Sequence, residues 1–123
     1  SSAAYNKDIA MNLPVILCGD TNADDKKPEI KYLRNEGFCD TYLHYYNNDL
    51  RTAPKQGATW DSSNPLTHGF LIEPNQRVDY VFCKQSESCK LAVEHSTMVF
   101  DEEPFVRYVF LFVQVFLFTH ERC

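Results

Sequence analysis

The sequence predicts an α+β fold in which strands outnumber helices, on three observations. "PVILCG", residues 14–19, is an apolar run without alternation that ends in glycine, the pattern of a strand covered on both faces. "PEIKYLRNEGF", residues 28–38, opens on proline, spaces Ile30 and Leu33 three apart and ends on Gly37, as a short helix with a glycine stop does. "QRVDYVFCK", residues 76–84, alternates Val78, Tyr80 and Phe82 with Asp79, Val81 and Cys83, which marks a strand with two unlike faces.

In chain order, the first strand runs from Pro14 to Cys18 and stops at Gly19. A polar turn follows, with Asp24 or Asp25 as candidate N-cap of a helix from Pro28 to Glu36 and Gly37 just past its end. "FCDTYLHYY", residues 38–46, has spacings that fit neither period. Residues 47–69, with "NND", "SSNP" and "HG", read as loop around a short strand centred on "ATW". "KLAVEHSTMVF", residues 90–100, is a further strand. "YVFLFVQVFLF", residues 108–118, is too short to span a bilayer, for which about 20 apolar residues are needed. Its length and β-branched content favour a buried strand, the alternatives being a membrane-dipping segment or residues foreign to the native fold. The chain thus divides into a lead-in over 1–13, a body over 14–100 and an atypical hydrophobic tail over 101–123.

At 123 residues and 44% hydrophobic, the chain has the length of one domain and enough apolar side chains for a core. A net charge of −5 disfavours a protein that grips nucleic acid by its own basic surface, because phosphate neutralisation supplies most sequence-independent affinity. Contact with phosphate through a metal stays open. Five cysteines, an odd number without a C-x-x-C pair, point to a reduced, intracellular, cytoplasmic compartment. Residues 1–13 lack the basic start and apolar core of a signal peptide.

Two places carry candidate chemistry. Asp20 and Asn22 stand two apart after the first strand, so in an extended chain their side chains point the same way. A carboxylate that takes a proton from water beside an amide that binds a phosphate oxygen suits phosphoryl chemistry; the same residues also make an ordinary polar turn. Asp79 is an acid inside an apolar strand and should have a partner, either Arg77 on its own face or a histidine from elsewhere. Otherwise it faces water on an edge.

In this order, "GDTN", "ATWDSSNP" and "RVDYVF" resemble the endonuclease/exonuclease/phosphatase superfamily from about Pro14 to Phe100. The resemblance implies a two-layer β-sandwich flanked by helices, DNase I-like, that hydrolyses phosphodiester or phosphomonoester bonds with Mg²⁺, or Mn²⁺. Trp60-Asp61, Asn64-Pro65 and "EPNQRVDYVF" are most similar to the neutral sphingomyelinase branch, which implies a phospholipid substrate and membrane association. Nucleases and inositol-phosphate phosphatases share the scaffold. By the same resemblance, Asp20 activates the attacking water and is a candidate metal ligand. Asn22 holds the scissile phosphate, Asp79 orients a catalytic histidine, and Thr59 and Trp60 flank the substrate. Core packing is the plainer role for Trp60.

The family's metal-binding glutamate and asparagine, and a further histidine, belong to a first half that is not in this chain. No Ser-Asp-His follows the last strand: the tail holds His120 between Thr119 and Glu121. His44, His68 and His95 stand outside the motif and read as ordinary loop or strand residues. The expectation is therefore a metal-dependent phosphodiesterase whose sandwich is incomplete here, weakly active or inactive alone. The alternative is a non-catalytic half-domain that binds a partner chain completing the domain, since half a sandwich exposes one inner face.

Overall fold

The structure, a computed structural model, describes residues 13–61, 74–87 and 89–99, together with the backbone of 113–121. The readings made for the lead-in up to residue 12, for "SSNP" and His68, and for residues 100–112 lie outside the described residues. The elements are β1 (Val15–Asp20), α1 (Pro28–Asn35), β2 (Cys39–Asp40), α2 (Thr41–Tyr45), β3 (Asp79–Lys84), β4 (Lys90–Val99) and β5 (Val113–Glu121). Two 3₁₀ turns, Leu50–Thr52 and Pro54–Gly57, follow α2. The mixture is α+β, as the sequence predicts, and among the described residues every strand pairing is antiparallel. β3 lies between β1 and β2. β4 pairs with β5 in a second sheet that shifts register between Val93 and His95. Part of the tail is thus a strand.

Local chemistry explains most element boundaries. α1 starts at Pro28, whose fixed φ suits a first helical turn. Its N-cap is Lys27, without a side-chain cap, rather than Asp24 or Asp25. Asp24 instead accepts the Lys26 N–H at 2.8 Å, and Asp25 is drawn into an ion network. The helix ends where expected: Gly37 adopts φ +87°, its N–H reaches the Arg34 carbonyl at 3.0 Å, and the Phe38 N–H reaches Leu33 at 3.1 Å. That double closure needs a left-handed residue, which glycine supplies at little steric cost.

"FCDTYLHYY" splits into both structures because Asp40 serves both. It ends β2, and its carboxylate caps α2 by accepting the Leu43 N–H at 3.2 Å. Thr41 then donates from its hydroxyl to the Val81 carbonyl at 2.8 Å. "ATW" makes no strand of its own; only Trp60 pairs, with Gln76.

The core lies between α1 and one face of β3. Ile30, Tyr80, Phe82 and Ala23 are buried together, with Leu33 and Phe38 packed against them. The Tyr80 and Phe82 rings stack with centroids 5.2 Å apart. Each such side chain removed from water contributes about 1.5–3 kcal/mol. β1 departs from expectation. Among the described residues it is an edge strand with β3 as its sole neighbour, and Val15, Ile16 and Leu17 are 43%, 50% and 42% exposed. The apolar run has the composition of a strand buried on both faces, but the described residues do not cover it.

Arg77 binds the pieces together. Its guanidinium donates to both oxygens of Asp40, at 2.9 and 2.8 Å, and also to Asp25. Arg34 donates to the same two acids, at 2.6 Å to Asp25 and 2.8 Å to Asp40. Asp79 therefore does not receive Arg77 as its partner, because two carboxylates from other elements claim it. Burial pushes the Asp40 carboxyl up, but the hydrogen bonds and charges of Arg77 and Arg34 outweigh it and hold Asp40 below the usual carboxylate range.

Arg77→Met should cost about 3–5 kcal/mol, since it leaves buried Asp40 short of a counter-charge; urea denaturation measures it. Because the folded Asp40 pKa is depressed, its contribution is complete above the ordinary carboxylate value of about 4 and is lost as pH falls through the folded value. An Asp40→Asn variant should accordingly show a flatter acid limb in stability against pH.

Candidate active site

β1 and β3 run antiparallel in a register that sets Asp20 directly across from Asp79. Opposed residues in such a ladder have Cβ atoms about 4.5–5.5 Å apart, and like charges there are destabilising. Asp79 is half-buried. Burial pushes its carboxyl up, a hydrogen bond from Thr59 pulls it down, and the charge of Asp20 pushes it up again, for a net raised pKa. An opposed acid pair at the end of a sheet is poor for stability, and a perturbed carboxyl of this kind marks a candidate functional site.

Asn22 does not continue the strand. It takes φ +49°, and its backbone N–H donates to Asp20 Oδ1 at 2.8 Å. The extended, same-facing arrangement expected for Asp20 and Asn22 is replaced by a tight turn in which the acid receives the asparagine's own backbone. Asparagine is among the few residues that enter this region readily. Thr21 fastens the turn: its N–H and its hydroxyl both donate to the Val78 carbonyl, at 2.8 and 2.9 Å. The corner holding Asp20 is thereby tied to the segment that leads into Asp79.

Thr59 is fully buried, which removes it from the substrate-flanking position expected of it. Its hydroxyl oxygen accepts the N–H groups of Val78 and Asp79, at 3.0 and 3.1 Å, and the hydroxyl bonds the Asp79 carboxyl. Thr59 thus positions Asp79 from beneath. Trp60 is half-buried and bridged to Gln76 through its backbone, with the Trp60 N–H donating at 2.9 Å. Asp61, next along, is buried and paired with Lys55 at 3.0 Å.

Asp20 lines a small pocket of about 150 Å³ with Gly19, Thr21, Leu17, Tyr80 and Phe82. A larger cleft of about 780 Å³ is lined by Asp25, Lys26, Lys55, Asp61, Asn75 and Arg77. Asp20, Asn22 and Asp79 are not among its walls, and its charged groups are largely committed to one another. Of the three candidate residues, Asp20 alone lines the smaller pocket.

Two opposed carboxylates attract a cation, yet among the described residues no three His, Cys, Asp or Glu side chains gather as a metal cage. Mg²⁺ takes near-octahedral oxygen coordination, so the described side chains do not by themselves fit a resident metal. Of the described histidines, His95 hydrogen-bonds Tyr45 at 3.2 Å; no histidine hydrogen bond to Asp79 is found among the described residues. Sequence reasoning missed Asp40, Arg34 and the positioning role of Thr59. The one available signal was Asp40 standing before "TYLHY" as a cap.

The model of the endonuclease/exonuclease/phosphatase family matches residues 2–97, a span that ends within β4. No curated protein and no solved structure gives a significant match to the chain.

Asp20→Asn keeps an acceptor for the Asn22 N–H and removes the like-charge opposition, so it should stabilise the fold by about 0.2–1 kcal/mol. A raised folded pKa means that ionised Asp79 costs stability at neutral pH, a cost relieved as pH falls through the folded value. Carboxyl-carbon NMR should place the Asp79 midpoint above about 4 and show it falling in Asp20→Asn.

Proposed function

The chain belongs to the endonuclease/exonuclease/phosphatase family, a family of DNase I-like hydrolases, and from that premise we propose that it carries the water-activating, phosphate-orienting corner of a metal-dependent phosphodiesterase. The observation that supports this most is the opposition of Asp20 and Asp79 at the end of the β1–β3 ladder. Asp20 engages the Asn22 N–H through one oxygen, which leaves the other to take a proton from a water attacking phosphorus in line. The exposed Asn22 amide would donate to a non-bridging phosphate oxygen and stabilise its developing charge. Asp79, held by Thr59, would orient an imidazole, and that histidine would have to come from outside the described side chains.

A divalent cation, Mg²⁺ or Mn²⁺, is the cofactor this reading takes; it would supply Lewis-acid charge stabilisation. Asp20 is the ligand this chain offers, and the others would come from outside the described residues. The substrate is a phosphodiester. "ATWDSSNP" and "EPNQRVDYVF" favour a phospholipid of the sphingomyelin kind, whereas the net charge of −5 disfavours nucleic acid. A second reading is supported by the exposure of Val15, Ile16 and Leu17: a half-domain whose open strand receives a partner chain.

With Mg²⁺ and bis(p-nitrophenyl) phosphate, Asp20→Ala and Asn22→Ala should each lower the hydrolysis rate about 10²–10⁴-fold with the fold retained. Activity untouched by both substitutions removes the assigned roles. A folded chain without any turnover favours the partner-binding reading.

A further inference from the structure

Three of the described cysteines are free: Cys18, Cys39 and Cys83; Cys89 is disulfide-bonded. The β2–β3 register places Cys39 directly across from Cys83. Directly opposed residues share a face of the sheet with Cβ atoms about 4.5–5.5 Å apart. A disulfide needs about 3.5–4.5 Å, so an approach of about 1 Å closes the gap. The Cys39 thiol donates to the Asp40 carbonyl at 3.9 Å, and each thiol shifts the titration of the other. Cys18 is paired across from Val81, one diagonal step from Cys83 on the same face, at the roughly 7–8 Å of diagonal neighbours. It is the poorer match.

We propose that Cys39 and Cys83 form a peroxide-responsive dithiol that closes into a cross-strand disulfide joining β2 to β3. Access and reactivity are divided between them. Cys39 is half-buried, whereas Cys83 is 1% exposed. Interaction with Cys83 lowers the Cys39 thiol to about 7, against the opposing effects of burial and Asp40, which favours its thiolate. The thiolate is the nucleophile in such chemistry. Cys83 is pushed up by its interaction with Cys39, by burial and by the charge beside it, which makes it the resting thiol.

The oxidant is hydrogen peroxide. The Cys39 sulfur attacks one peroxide oxygen; an S–O bond forms, the O–O bond breaks, and the departing hydroxide takes a proton to become water. Cys39 is then a neutral sulfenic acid, which ends the hold it exerted on the Cys83 proton. The Cys83 sulfur attacks the Cys39 sulfur, S–S forms as S–O breaks, and the leaving hydroxide takes the Cys83 proton. Two thiols and one peroxide become one disulfide and two waters. The product braces a strand only two residues long, whose second residue is Asp40, the acid that Arg77 and Arg34 hold.

The test uses the full chain carrying Cys18→Ser, treated with hydrogen peroxide and mapped as non-reduced peptides. The expected result is a Cys39–Cys83 linked peptide, reversible by dithiothreitol, together with a higher urea midpoint than the reduced chain. Alkylation of Cys39 by iodoacetamide should titrate with a midpoint near pH 7. In Cys83→Ala the sulfenic acid on Cys39 should persist and react with dimedone. Because that buried substitution can impair folding, peptide mapping of the Cys18→Ser chain decides alone: Cys39 oxidised to sulfinic acid with Cys83 still reduced, or Cys39 linked to another cysteine, overturns the proposal.

Discussion

The shared claim of Arg77 and Arg34 on Asp40 and Asp25 is the interaction on which the rest of the structure depends. It joins the turn after β1, helix α1, the end of β2 and the segment entering β3. A small core of Ile30, Tyr80 and Phe82 cannot set the relative positions of these pieces by shape alone, because hydrophobic burial is not directional. Guanidinium forks on carboxylates are directional. The Arg77 guanidinium also stands 4.6 Å over the Tyr80 ring, so the same residue ties the polar network to the apolar core. Removing charges from water here is costly, and the network holds because each buried charge meets more than one opposite charge.

A second electrostatic arrangement works in the opposite sense. At the far end of β3 from Cys83, Asp79 faces Asp20 across the ladder, and Thr59 holds Asp79 in place through three hydrogen bonds to its backbone, its neighbour's backbone and its carboxyl. One ionic cluster stabilises the fold while the other stores repulsion at the end of a strand. Satisfied charges lie inside the fold, while the opposed acid pair stands at a more exposed corner.

Much of the fold was legible. The proline start and glycine stop of α1, the alternation of β3 and the span of β4 follow from local backbone preferences, and local preferences are what a sequence displays. The N-cap of α1 and the destination of Arg77 were not legible, because Asp25 and Asp40 are claimed by an arginine 52 and 37 residues further along the chain. Thr59 had the look of a site residue from its neighbourhood to Trp60, yet a threonine's burial depends on what packs over it. For β1 the composition was read as that of a doubly covered strand, but among the described residues the strand is exposed, because covering depends on what packs over a strand and not on the strand itself.

By itself the sequence determined the kind of machinery: "GDTN", "ATWDSSNP" and "RVDYVF" in this order belong to one family, and the match over residues 2–97 agrees. It also determined the strand and helix periods, which are local. Only the tertiary structure decided that Asp20 faces Asp79, that Asn22 turns back onto Asp20 instead of extending beside it, and that Cys39 meets Cys83. Each of these depends on strand register or on a turn closed by a distant carbonyl. Register is a property of two segments together, so neither segment states it alone.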